Sequence, residues 1–283
     1  MKRSNPGTRS SNALAARRLA PVAAIALAMA SSGACSNVIG LDADYHIAEP
    51  SCIETLGSAP VGSPCPADML DVPGNYCIDY NETTWTDYMG FVALANPADQ
   101  PPECADNLSF QPEGSPPVAP DGGADDYPVT GVDWCDALAY CKSKGKRLCG
   151  AIPDGADLPG DTSLELSCSK DEWYAACSAA GRFTTAEGST GARLCNVNNA
   201  ESGTMPVGTT KGCSGTGDYQ NLKDMNGNVA EWVNACTREG TLTCQVRGGS
   251  FSTTYGDTCG FRRDLTAMSR NQEVGIRCCK SLP

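Results

Sequence analysis

Cysteine is the residue that most restricts how this chain can fold. The 283-residue sequence contains 17 cysteines, and an odd number leaves one of them without a disulfide partner in an exported protein. Cys35 follows an apolar N-terminal run and a few small residues, and it stands apart from the other cysteines. Without Cys35 an even number remains, and that number at this density predicts an oxidising compartment and a domain held together by disulfides.

The first 34 residues have the features of a signal peptide. Basic residues precede the apolar run Leu19–Ala30, which is too short to cross a bilayer as a helix of about 20 residues. The small residues before Cys35 resemble a bacterial lipobox, so we expect Cys35 to carry a lipid. Ser32 stands where a lipobox usually has leucine, which leaves cleavage near Ala34 without lipidation as the alternative.

These features together predict an exported lipoprotein in the cell envelope of a bacterium, anchored to a membrane through Cys35. Residues 35–65 contain Pro, Ser and Gly without sustained periodicity, as expected of a tether. Residues 66–283 are enough for one domain with its own core, and we expect it to be a monomer.

Charge and histidine content exclude several classes of function. The net charge is −12 and the mature chain has no basic stripe, which argues against binding to nucleic acid. The single histidine, His46, lies in the tether. The domain therefore cannot assemble a Ser-His-Asp triad, a Cys-His dyad or a His-rich zinc or iron site.

A short acidic stretch is the strongest candidate for a binding site. Asp224, Asn226, Asn228 and Glu231 alternate with a glycine and apolar residues over eight positions. Carboxylate, amide and backbone carbonyl oxygens crowded into one turn are the ligands that calcium prefers. The alternative is an Asx-rich turn with nothing bound, because Asp, Asn and Gly are also the residues that tight turns require.

Helical periodicity is visible in three places. Apolar residues at helical spacing predict helices over Thr83–Ala95 and Asp133–Ser143. A third short helix is predicted over Ser169–Ala180, with Ser169 as N-cap and Glu172 completing a capping box. The connections are long and rich in Gly, Pro and Asp, so we expect an α+β, loop-rich fold with little regular secondary structure.

Several motifs, in this order, resemble the formylglycine-generating enzyme family, whose members are also called sulfatase-modifying factors. The resemblance covers about residues 66–280 and implies that family's fold, a variant of the C-type lectin fold. It also places Trp134, Trp173 and Trp232 at core positions. The motifs are Tyr76–Thr84, Pro128–Trp134, Gly145–Leu148, Asp171–Cys177, Asp224–Trp232, Arg247–Phe251 and Gly275–Cys278.

The resemblance implies two calcium sites and two disulfides. The second calcium site of the family would use the Asp224 side chain, the carbonyls of Gly227 and Val229, and the Glu231 carboxylate. Its first site would begin at Asn196 and Val197, although the rest of that site has no clear counterpart. The family's structural bridges correspond to Cys141–Cys278 and Cys177–Cys259, and the neighbouring Cys279 should bond to a different partner from Cys278.

The family's catalytic copper site is where this sequence departs from the pattern. In the family two cysteines in the loop after the G-G-S-aromatic motif hold copper, which activates oxygen to oxidise a sulfatase cysteine to formylglycine. Counted from Ser250 and from the C-terminal motif, these positions fall on Thr253 and Thr254, and the loop is about four residues short. Cys259 has the spacing of the family's structural cysteine. Copper is therefore not expected in this chain.

Two functions follow from these observations. The first is an exported, non-catalytic module that recognises a peptide or glycan through the loop Ser252–Gly256. The second is an active formylglycine-generating oxidase with a non-standard thiol site. Arg262, Arg263 and Arg277 would lie near this loop, where they could hold a substrate or form ion pairs.

Overall fold

The computed structural model describes residues 64–73, 76–117, 126–158, 167–188, 194–254 and 258–282. The signal peptide, Cys35, His46 and nearly all of the tether lie outside the described residues. The helices are α1 (Trp85–Val92), α2 (Trp134–Ser143) and α3 (Glu172–Cys177). The strands are β1 (Met69–Val72), β2 (Tyr76–Asp79), β3 (Arg147–Leu148), β4 (Ala230–Thr237), β5 (Thr243–Arg247), β6 (Arg262–Thr266), β7 (Val274–Gly275) and β8 (Cys278–Ser281).

The strands form two four-stranded sheets. The first has the order β1-β2-β8-β3 and is antiparallel, so the C-terminal strand lies between strands from the first half of the domain. The second has the order β6-β5-β4-β7, with β4 and β7 parallel. The register between β4 and β5 shifts between Trp232 and Cys236. With three short helices and long connections, this is the α+β, loop-rich architecture predicted from the sequence.

Two of the predicted helices form nearly where expected. The helix predicted over Thr83–Ala95 is shorter, because Thr84 caps it by accepting a hydrogen bond from the Asp87 backbone N–H. Helix α2 begins after Asp133, whose side chain accepts from the Asp136 backbone while the Asp136 carboxylate accepts from the Asp133 N–H. This reciprocal capping box fixes the start of the helix.

The predicted start of α3 is wrong. Its N-cap is Asp171, whose side chain accepts a hydrogen bond from the Tyr174 backbone N–H. The Ser169 hydroxyl instead lies 2.9 Å from the Ser167 hydroxyl. The Asp171 carboxylate also forms a buried ion pair with Arg247 at the end of β5, at 2.6 Å. That long-range contact holds Asp171 in the capping position.

Buried tryptophan side chains belong to the two main clusters of the hydrophobic core. Trp134 and Trp232 are buried in one cluster with the aromatic residues of α1, and Trp173 is buried in a second cluster beside β2. Each indole N–H has an acceptor: Trp134 donates to the Val233 carbonyl and Trp232 to the Val132 carbonyl. These side chains pack the core, as the sequence predicts.

Disulfides tie the loops to this core. The structure contains Cys141–Cys278 and Cys177–Cys259, the two bridges that the resemblance implies, and Cys279 bonds to Cys149. The other bridges with both partners described are Cys65–Cys77, Cys104–Cys135, Cys195–Cys213 and Cys236–Cys244. Within the described part of the chain, none of the helices is long and apolar enough to span a membrane.

Candidate functional site

The stretch Asp224–Trp232 forms a tight turn that leads into β4. Asp224, Gly227 and Asn228 have φ angles of 54°, 80° and 56°, in the left-handed region that Asn, Asp and Gly tolerate best. A Cβ on Gly227 would lie 2.4 Å from the carbonyl oxygen of Asn196. Glycine is thus required here both for its φ angle and for the close approach of another chain segment.

Glu82 organises this turn from the other half of the domain. Its carboxylate accepts hydrogen bonds from the Asn228 side-chain amide at 2.6 Å and from the Val229 backbone N–H at 3.1 Å. Burial raises the pKa of Glu82 well above its usual value, and the negative charges of Asp224 and Glu231 raise it further. Glu82 belongs to the Tyr76–Thr84 motif, so two motifs distant in sequence meet at this carboxylate.

Glu231, predicted as a calcium ligand, lies in a buried ion pair. The Arg277 guanidinium binds its Oε1 at 2.8 Å, and the Trp173 indole N–H donates to its Oε2 at 2.6 Å. Arg277 also donates to the backbone carbonyls of Asp79 and Lys223. Of the two roles open to Arg277, substrate binding or ion pairing, the structure places it in the ion pair.

The residues of the turn fit a calcium ion in part. Asp224 Oδ1 and Asn196 Oδ1 are buried and accept no hydrogen bond, which leaves two oxygens available to a cation. Asp224 Oδ2 accepts from the Gly208 N–H at 2.6 Å, and burial raises the Asp224 pKa. Both Glu231 oxygens are already engaged by N–H donors, so the predicted set is not fully arranged for a cation.

The same turn gathers the two predicted calcium segments. The Asn228 N–H donates to the Asn196 carbonyl at 2.8 Å, and Val197 is buried against Gly227. The first and second predicted sites are therefore neighbours. Among the described residues no cluster of three or more His, Cys, Asp or Glu side chains is arranged to hold a metal ion.

The loop after β5 packs directly on this turn. The Gly227 N–H donates to the Gly248 carbonyl at 2.9 Å, and the Phe251 N–H donates to the Asn228 carbonyl at 2.9 Å. The φ angle of Gly248 is 84°, and a Cβ there would lie 2.5 Å from the Met225 carbonyl oxygen. These contacts fix the start of the loop that carries the family's catalytic positions.

Hydroxyl groups occupy the loop where the family has its copper cysteines. The Thr253 hydroxyl accepts from the Ser250 N–H at 2.8 Å and lies 3.3 Å from the Ser250 hydroxyl. The Ser252 hydroxyl donates to the Glu273 carboxylate at 2.6 Å. Thr254 follows on the exposed side of the loop. This oxygen-rich donor set does not fit copper(I), which prefers soft thiolates.

The described cysteines offer no thiolate in their place. Cys259, which follows the loop, is bonded to Cys177 of α3, and all fifteen described cysteines are in disulfides. Cys236 and Cys244, which the loop could have approached, are bonded to each other. In the described part of the chain, therefore, copper(I) has no pair of sulfur ligands.

One partly buried ion pair borders the loop. Arg263 of β6 lies 3.5 Å from the Glu273 carboxylate, which the Ser252 hydroxyl also contacts. A second, buried pair joins Arg247 to Asp171 beneath the turn. Glu82, Arg247 and Glu273 contribute to the site although none of them was among the predicted site residues. Glu82 could have been found from the sequence, because it belongs to the Tyr76–Thr84 motif of the family.

Comparisons with known proteins give one family model and several similar solved structures. The family model of the sulfatase-modifying factor enzyme 1-like domain matches residues 54–282. The chain is similar to the crystal structure of CarF, with 18% identity over 74% of this chain and 87% of that chain, and a TM-score of 0.49. It is also similar to the structure of PvdO from Pseudomonas aeruginosa, with 19% identity over 75% of this chain and 83% of that chain, and a TM-score of 0.48. A third similar structure is Treponema denticola variable protein 1, with 19% identity over 73% of this chain and 84% of that chain, and a TM-score of 0.46.

A search of curated protein sequences gave no significant match. The family model covers far more than half of the chain, and the matched residues include the turn, the loop and the described disulfides. The chain therefore belongs to the sulfatase-modifying factor family, the family of formylglycine-generating enzymes.

Proposed function

We propose that this protein is a non-catalytic binding or structural module of the bacterial cell envelope, exported and held at a membrane by a lipid on Cys35. One observation carries the proposal: Cys259 is bonded to Cys177, while Thr253 and Thr254 stand at the catalytic positions of the family. The domain would thus keep the scaffold of an oxidase while its described cysteines offer no pair of thiols for copper.

The loop supplies a surface for recognition instead of catalysis. Ser252 and Thr253 are half-buried hydroxyls beside the Glu273 carboxylate, and Arg263 adds a positive charge at the same edge. Such donors and acceptors suit the hydroxyls of a glycan or the backbone of a peptide. Part of the loop Ser252–Gly256 lies outside the described residues. We propose that the domain acts as a monomer, without binding nucleic acid.

Calcium binding at the turn remains a prediction. The buried oxygens of Asp224 and Asn196 support it, and the N–H donors on both oxygens of Glu231 weigh against that residue. Excess calcium should raise the melting temperature of the native protein, and Asp224→Asn should abolish the rise. An unchanged melting temperature in calcium and in chelator would show that the turn closes on its own hydrogen bonds.

The proposal is tested by an oxidation assay. The mature protein is treated with copper and oxygen together with a sulfatase-derived peptide that contains the substrate cysteine, and mass spectrometry follows the conversion of thiol to aldehyde. We expect no aldehyde. An aldehyde formed by the native protein and lost in Cys259→Ser would favour the alternative, an active formylglycine-generating oxidase with a non-standard thiol site.

A further inference from the structure

A second concave site lies away from the turn and the loop. It is a cavity of about 600 Å³ between the C-terminal end of α1, the connection that follows it, and α2. This volume is within the range of pockets that bind small molecules, roughly 300–1,000 Å³. Phe91 and Phe110 line it with ring centroids 5.0 Å apart, and Leu138 of α2 adds a further apolar side chain.

The walls of this cavity are held in place before any ligand binds. Cys104, within the connection, is bonded to Cys135 of α2. The Gln100 side-chain amide donates to the Asn107 carbonyl at 2.7 Å, and the Asn107 amide donates to the buried Asp136 carboxylate at 2.8 Å. Because the walls are fixed, binding would cost little ordering of the protein.

The rim combines an exposed leucine with charged side chains of both signs. Leu94 lines the cavity and is 90% exposed, so its side chain is available to an apolar ligand. Two carboxylates, Asp99 and Glu103, line the cavity against one ammonium group, Lys142. Glu103 forms an ion pair with Arg238 at 3.8 Å, whereas no ion pair involves Asp99 among the described residues. Asp99 is therefore the carboxylate of the rim at which a positively charged group can bind.

We propose that this cavity binds a small amphiphilic cation. Its apolar body would lie against the rings of Phe91 and Phe110 and against Leu94, and its ammonium group would lie at Asp99. The aromatic floor provides the apolar surface that such a body buries, and the carboxylate selects the sign of the charge. This site is separate from the loop that carries the proposed function, and either can fail without the other.

The test compares three probes that share one apolar body. Isothermal titration calorimetry on the mature protein would measure the binding of 4-phenylbutylamine, 4-phenylbutanol and 4-phenylbutyrate. We expect the amine to bind most tightly and the carboxylate most weakly. Leu94→Ser should weaken amine binding about fivefold, because the ligand loses apolar contact at the mouth. Asp99→Asn should weaken it about threefold, as expected for an exposed ion pair.

Matched variants outside the cavity separate binding from general effects. Leu108 is 83% exposed and does not line the cavity, and Asp106 is an exposed carboxylate on the same connection. Leu108→Ser and Asp106→Asn should leave amine affinity unchanged. The proposal is overturned if no probe binds saturably, if amine and carboxylate bind equally, or if the matched variants weaken binding as much as the variants inside the cavity.

Discussion

Replacing Trp173 by phenylalanine should reveal how strongly the buried Glu231–Arg277 pair depends on its third partner. The indole N–H of Trp173 donates to Glu231 Oε2 at 2.6 Å, and both side chains are 1% exposed. Phenylalanine keeps an aromatic ring but removes this donor. A lost hydrogen bond to a charged group costs about 1.5–3 kcal/mol, to which the smaller ring adds the cost of a cavity.

The same substitution at Trp232 is the matched control. Trp232 is equally buried, but its indole N–H donates to a neutral acceptor, the Val132 carbonyl, at 3.0 Å. The loss of ring volume is the same, and the neutral hydrogen bond contributes only about 0.5–1.5 kcal/mol. Trp173→Phe should therefore lower the free energy of unfolding by about 1–2 kcal/mol more than Trp232→Phe.

Urea denaturation at pH 7, with all disulfides intact, measures this difference. The two variants should have different midpoint concentrations of urea. The slope of their unfolding free energy against urea concentration should be similar, since the surface area exposed on unfolding barely changes. Equal losses of stability in the two variants would refute the reasoning, because they would mean that the charge on Glu231 is balanced by Arg277 alone.

Three further predictions test the turn, the bridges and the buried carboxylates. Gly227→Ala should cost about 2 kcal/mol more unfolding free energy than Gly240→Ala, because both positions have φ near 80° but only the first meets a carbonyl oxygen, at 2.4 Å. Replacing Cys141 and Cys278 by alanine should lower the free energy of unfolding by about 3 kcal/mol, and not by the about 5 kcal/mol expected for a lone bridge over so long a loop. The reason is that Cys149–Cys279 still closes nearly the same loop. If removing one bridge lowers the stability as much as removing both, this reasoning is wrong. Burial raises the Asp136 pKa from 3.8 to about 7, so the folded protein keeps a proton that the unfolded chain has released. Unfolding free energy should therefore fall as pH rises from about 4 to about 7, and less steeply in Asp136→Asn.

The elements that the sequence predicts well are those encoded by neighbouring residues. The Asp133–Ser143 pattern predicts α2 because its periodicity and its cap lie within one short stretch. The start of α3 was misplaced because Asp171 is held by Arg247, 76 residues away. A sequence pattern at Ser169 contains no information about that partner.

In the candidate site, too, the sequence predicts what neighbouring residues encode and misses what distant residues determine. The Asp224–Trp232 turn is visible in the sequence because Asp, Asn and Gly at left-handed positions are a local signal. The role of Glu82 is not, because its hydrogen bonds to the turn span 146 and 147 residues. Likewise, the engagement of Glu231 by Arg277 depends on where the C-terminal motif folds back, and composition alone cannot reveal it.

Whether Cys259 is free to bind copper is best measured by non-reducing peptide mapping of the mature protein, with alkylation of free thiols before digestion. We expect a linked peptide pair containing Cys177 and Cys259, and no alkylated cysteine among those the structure describes. An alkylated Cys259, accompanied by a second free cysteine, would contradict it. Two thiols near the loop could then bind copper, and the chain would be better explained as an oxidase.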